Sequence, residues 1–189
     1  MTSELSGKKV AFLVANAGVE QVELTSPWQA VLDAGGEPVL IAPAVGPVQA
    51  YKYLDKGEVF EATVPTSALA VDDYDVVVLP GGVANPDRLR IDEPAVAFLH
   101  AWTRAGKPLA AICHGPWPLI DADAVRGKTL TSWVSLRADI QNAGGEWRDS
   151  ASVRCDAPPY PLVTSRKPAD LDAFNAALVT IITSAAASS

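Results

Sequence analysis

Cys113 and His114 stand side by side in Pro108-Leu-Ala-Ala-Ile-Cys113-His114-Gly115-Pro116-Trp117-Pro118-Leu119, a stretch holding the residue types for nucleophilic chemistry. The run before Cys113 is short, apolar and bounded by Gly106-Lys107, which suits a strand buried on both faces of a parallel sheet. Gly115 allows a sharp turn, and Pro116 has the fixed φ and missing N–H that suit a first helical turn. Cys113 is therefore expected at a strand-to-helix elbow. A thiol there faces unpaired backbone N–H groups and the positive end of a helix dipole, both of which favour thiolate and lower its pKa. A lone cysteine is more often a small buried hydrophobe; the elbow context turns the balance towards a nucleophile.

Two further groups can serve such a thiol. Tyr74-Asp-Val-Val-Val-Leu-Pro80 reads as a strand followed directly by Gly81-Gly82, where a ligand or oxyanion can approach backbone N–H groups, although a tight turn explains the pair equally well. The N–H groups of Gly82 and His114 could then form an oxyanion hole. Glu20 follows the first strand. A carboxyl beside the thiol must be protonated and donate to sulfur, because two adjacent negative charges raise both pKa values. The alternative is an ordinary acid at a helix N-terminus. The only histidines are His100, expected at the surface, and His114, whose side chain is expected to diverge from its neighbour's thiol. No histidine follows His114, which counts against a triad of the glutamine amidotransferase kind.

These groups need elements to position them. Lys8 to Ala15 reads as a buried strand, Asn16-Ala17-Gly18 as a loop, and Glu20 to Ala34 as a helix with Pro27 in its first turn. Pro38 to Pro43 is a second strand, so the start is a β-α-β unit with a right-handed crossover. Tyr51 to Phe60 suggests a hairpin or flap, either a plain surface excursion or a cover for the site. Asn85-Pro86-Asp87-Arg88 reads as a turn, Glu93 to Arg104 as a helix, Thr129 to Trp133 as a fifth strand and Leu136 to Ala143 as a helix. Glu146 to Asp149 and Ser152 to Asp156 look like a hairpin or edge extension, with Cys155 a strand residue. Leu162 to Ser165 is the last strand, and Pro168 to Ser184 a helix. This alternation predicts an α/β doubly wound sheet whose site lies outside the strand C-termini. One domain is expected over 1–189, with 1–7 and 185–189 flexible.

The totals narrow the classes. A chain of 189 residues can bury roughly 70% of its unfolded surface in one core. Two cysteines make no disulfide framework, and no metal-ligand spacing joins them to the histidines, so neither metal nor cofactor is expected. The polar N-terminus lacks a signal-peptide core and no apolar run approaches a membrane span, which points to the cytoplasm. Fifteen Lys+Arg against 22 Asp+Glu give a net charge of -7 without a basic cluster, which disfavours nucleic acid.

Ala111-Ile-Cys113-His114-Gly115-Pro116-Trp117, with Leu79-Pro-Gly-Gly82, Glu20-Gln-Val-Glu23-Leu24, Asn142-Ala-Gly-Gly-Glu-Trp147 and Ser165-Arg-Lys-Pro-Ala-Asp-Leu171, resembles the DJ-1/PfpI superfamily, and within it the PfpI-type proteins. The resemblance runs from about Lys9 to the C-terminal helix. It implies a flavodoxin-like three-layer sandwich with a mostly parallel sheet, a dimer or larger homo-oligomer, and an easily oxidised cysteine. It carries the nucleophile onto Cys113, its histidine onto His114 and the hydrogen-bonding glutamate onto Glu20. The third triad member, given by a neighbouring subunit, falls on Asp87, which is shorter than the family's glutamate. The implied substrates are small aldehydes, glycation adducts or peptides. The alternative is a non-catalytic stress protein in which Cys113 is oxidised to sulfenic or sulfinic acid.

Overall fold

Short β-branched runs alternate with amphipathic helices along this chain, so each strand is covered on both faces. A computed structural model describes residues 4–186. In order, the elements are β1 (Lys9–Leu13), β2 (Ala17–Glu20), α1 (Gln21–Asp33), β3 (Glu37–Ala42), β4 (Gly46–Lys52), β5 (Asp55–Ala62), β6 (Val64–Pro65) and β7 (Val76–Leu79). Then come α2 (Ala84–Leu89), α3 (Glu93–Arg104), β8 (Leu109–Ile112), α4 (Trp117–Asp121), β9 (Thr129–Leu130) and α5 (Arg137–Asn142). The chain ends with β10 (Glu146–Trp147), β11 (Val153–Cys155), β12 (Leu162–Ser165) and α6 (Leu171–Ala186).

Seven strands form the central sheet in the order β11-β12-β8-β7-β1-β3-β6, parallel except for β11 at the edge. Side chains alternate between its faces. Val10 and Phe12 of β1 join Leu24, Val31, Phe174 and Leu178 on one side, against α1 and α6. Ala11 and Leu13 join Leu89, Leu99, Trp102 and Leu119 on the other. The result is the expected three-layer α/β sandwich. Because β8, β7 and β1 are neighbours, the turns after all three open at one end of the sheet. Among the described residues no helix is long and apolar enough to cross a membrane.

Several local expectations change. Residues 17–20, expected as a loop and helix start, form β2, which pairs with β4 in a separate three-stranded sheet with β5. Pro27 lies in the middle of α1 rather than in its first turn. Asn85 to Arg88 belong to helix α2, not to a turn, and Asn85 is buried. Thr129 to Trp133 yields only the short β9, paired in parallel with β10 outside the central sheet, so β10 and β11 are not a hairpin. The N-terminal segment is anchored where the described residues begin: Leu5 is buried and its N–H donates to Ala34 O at 2.9 Å. Helix α6 continues to Ala186; residues 1–3 and 187–189 of the expected flexible ends lie outside the described residues.

Candidate active site at the Cys113 elbow

β8 stops at Ile112 because Cys113 adopts φ +62°, a left-handed conformation rare outside glycine and here fixed from both sides. Its N–H donates to Ser165 O at 3.0 Å, and its carbonyl accepts from Trp133 N at 2.8 Å. Gly115 closes the elbow, since a Cβ there would lie 2.2 Å from Leu79 O. The sulfur sits among the N–H groups of His114 and Gly82, the two expected oxyanion donors. The turn carrying Gly82 is pinned by Asn85, whose Nδ2 donates to Pro80 O (3.0 Å) and Gly81 O (3.1 Å) while its Oδ1 accepts from Ala15 N (2.7 Å).

The carboxyl that meets the thiol is Glu23, not Glu20. Glu20 holds the N-cap position of α1 without a side-chain capping bond, and its Oε2 instead accepts from Tyr53 N at 3.0 Å. Glu23, one turn on, shares the buried face of α1 with Leu24, Pro27 and Val31. Both it and Cys113 pack against the bare Cα of Gly81, where a Cβ would lie 2.3 Å from Glu23 Oε2 and 2.6 Å from Cys113 Cβ. Neither Glu23 oxygen has a full hydrogen bond among the described residues, and both are out of solvent. Burial first, then the nearby Glu20 charge, pushes its pKa up to about 8 against the pull of the Cys113 thiol and the Gly81 and Gly82 N–H groups. Glu23 is therefore protonated at neutral pH.

The thiol departs from its expected acidity. Burial pushes its pKa up, and an ionised Glu23 would push it further; the N–H groups of His114 and Gly82 pull the other way. The dipole does not reverse this, because α4 has only five residues. Thiol and carboxyl together hold at most one negative charge at neutral pH.

His114 does not diverge from the thiol. Its Nδ1 lies 3.3 Å from Cys113 Sγ, and its Nε2 3.2 Å from Ser135 Oγ. The ring stacks on Trp133, with centroids 6.0 Å apart and 25° between planes. Burial lowers its pKa, so the ring is neutral. With Nδ1 accepting from the thiol, Nε2 carries the ring hydrogen and donates to Ser135 Oγ. A thiol, an imidazole within reach of its proton and a hydroxyl that holds the imidazole are thus brought together within one chain.

A cavity of ≈ 660 Å³ opens onto Cys113, Glu20, Glu23, Gly82 and His114. The hairpin of β4 and β5 lines it through Tyr51, Tyr53 and Leu54, so this segment covers the site instead of being a plain excursion. Asp87 is exposed on α2, does not line the cavity and has no ion pair among the described residues; Ser135 takes the position at His114 that an acid would occupy. His100 is exposed, with Nδ1 2.9 Å from Ala122 O, and Cys155 Sγ accepts from Thr129 N at 3.4 Å in the strand-edge packing.

Sequence reasoning missed Ser135, Asn85 and the role of Glu23. Only Glu23 carried a usable signal, the helical phase that places it four residues before the buried Pro27.

Residues 8–181 match the model of the DJ-1/PfpI family. A Bacillus subtilis protein named "Putative cysteine protease YraA" is 39% identical over 168 residues, covering 89% of this chain and 94% of the relative. "Protein/nucleic acid deglycase 2" of Escherichia coli is 39% identical over 173 residues, with 89% and 94% covered. A two-domain Anabaena variabilis protein with DJ-1/ThiJ/PfpI-like and ferritin-like domains superposes with a TM-score of 0.83 at 33% identity. That match covers 92% of this chain and spans about half, 49%, of the Anabaena chain.

Proposed function

This chain belongs to the DJ-1/PfpI family, and from that premise we propose that it is a thiol-dependent enzyme acting on small aldehydes or their glycation adducts. The observation that carries the reading is the seating of Cys113 Sγ 3.3 Å from a neutral His114 Nδ1 and beside the protonated Glu23. As the sulfur adds to a carbonyl carbon, its proton passes to His114 and Ser135 accepts from the resulting imidazolium. The oxyanion forms against the N–H groups of Gly82 and His114. Glu23 keeps a second proton beside the reacting centre for transfer to the adduct.

The relatives' names support two substrates, glycated macromolecules and peptides. Adjacency predicted a poor Cys-His geometry, but Sγ and Nδ1 lie within hydrogen-bond distance, so the pair does not disfavour peptide cleavage. The test is lactate release from methylglyoxal by freshly reduced protein beside Cys113→Ala and a fluorescent casein digestion. Turnover lost in the variant supports the aldehyde reading; casein cleavage without lactate moves the assignment to a peptidase.

A redox-responsive role draws on one observation: a protonated Glu23 can donate to an oxidised Cys113 sulfur. No turnover on either substrate, with peroxide adding oxygen at Cys113 well before Cys155, would favour it. The homo-oligomer is part of the same proposal, supported by an Asp87 that is exposed and does not line the cavity of its own chain.

A further inference from the structure

The cavity at Cys113 has the size of pockets that take drug-sized ligands, several times what a three-carbon aldehyde fills. Its outer wall is apolar: Tyr51, Tyr53, Leu54, Val83 and Trp133 line it, and Tyr53 and Leu54 are 85% and 81% exposed. Apolar side chains crowded round one opening gain from being covered by an apolar body.

One cationic side chain lines this cavity, the exposed Arg88 of α2. Its guanidinium has no ion pair or hydrogen bond among the described residues, not even with its neighbour Asp87. The contrast with Arg90 is direct, because that side chain is held by Asp121 at 2.8 Å and lies 4.8 Å over Trp117. The two acids that line the same cavity leave Arg88 unmatched. Glu20 is turned to Tyr53 N, and Glu23 is buried behind the thiol.

We propose that Arg88 determines specificity, and that the site takes a carbonyl substrate carrying a carboxylate on an apolar body. The carboxylate pairs with the Arg88 guanidinium, the apolar body lies along Tyr51, Leu54, Val83 and Trp133, and the carbonyl reaches Cys113. A guanidinium presents a planar fork that a carboxylate meets with two parallel hydrogen bonds, which distinguishes it from a neutral amide of the same shape. This deepens the reading of Cys113 as a nucleophile and rests on it for the reaction, though not for the binding.

The test is therefore binding without chemistry. Phenylacetate, 3-phenylpropionate and 4-phenylbutyrate are titrated calorimetrically into the reduced protein, each beside its primary amide. At least one acid should bind about tenfold tighter than its amide at low salt, as a charge-assisted pair gives. Arg88→Gln should bring that ratio to within about twofold, and about 0.5 M NaCl should weaken the acid far more than the amide. Equal affinities of acid and amide, no binding of any acid at about 5 mM, or a preference that survives Arg88→Gln would overturn the proposal. Retention of the acid preference in Cys113→Ser, with no turnover of any aldehyde by the native protein, would overturn the Cys113 chemistry and leave Arg88 standing.

Discussion

Cys113 Sγ and His114 Nδ1 lie 3.3 Å apart although the two residues are adjacent in the chain. The φ of +62° at Cys113 folds the backbone back on itself, so the next side chain returns towards the sulfur instead of leaving from the opposite side. Ser135 and the Trp133 ring then hold the imidazole in that position.

Exchange of the two glutamates separates their roles. Glu23→Gln should lower kcat for aldehyde turnover by about 10² or more, the scale of losing a positioned proton donor. Glu20→Gln should stay within a few-fold of the native value, because the Glu20 carboxylate is bonded to Tyr53 N and acts on Glu23 through its charge alone. Steady-state kinetics on the two variants checks this; an equal loss in both would return the role to Glu20.

The pH dependence has a definite sign. Glu23 is raised from 4.5 to about 8 in the folded protein. Folding then favours the protonated form, so this contribution is fully present below about pH 4.5 and is lost as pH rises through about 8. Urea unfolding should show stability falling across that window by roughly 1 kcal/mol per pH unit. Glu23→Gln should flatten that slope. Activity that needs the Glu23 proton should decline over the same upper limb.

Ser135→Ala removes the oxygen that receives His114 Nε2. About a tenfold drop in kcat with little change in KM is expected, since the ring loses orientation and its imidazolium loses an acceptor. Asp87→Asn decides the subunit question. A comparable loss that deepens on dilution would place a partner's Asp87 at the site; unchanged activity leaves Ser135 as the orienting group.

Gly81→Ala should be severe. Its new Cβ would fall 2.3 Å from Glu23 Oε2 and 2.6 Å from Cys113 Cβ, so carboxyl and thiol must separate. Aldehyde turnover should fall at least as far as in Glu23→Gln, while α/β circular dichroism is retained.

Lys128 tests the core away from the site. It is 1% exposed, and its Nζ donates to the carbonyls of Ala157 and Tyr160 beneath the Tyr160 ring. Lys128→Met would leave both carbonyls without a donor, costing about 3 kcal/mol in urea unfolding.

Features of this protein that depend on local pattern were legible from the order of its residues. Apolar runs of strand length between amphipathic helices can only be buried as a parallel sheet covered on both faces. The Ile-Cys-His-Gly-Pro run can only leave that sheet through a tight elbow, so Cys113, Gly82 and His114 were legible as neighbours at one end of it. What remained depended on contacts between distant segments. The phase of α1 against β7 and β8 selects Glu23 over Glu20, although both are acids at the same helix end. Pairing preferences put Thr129 and Leu130 beside Glu146 and Trp147 rather than in the central sheet. Ser135 reaches His114 across 21 residues of chain. Only the assembled fold decided the acidity of the thiol as well, because desolvation depends on what surrounds a group, and five helical residues of dipole could not outweigh it.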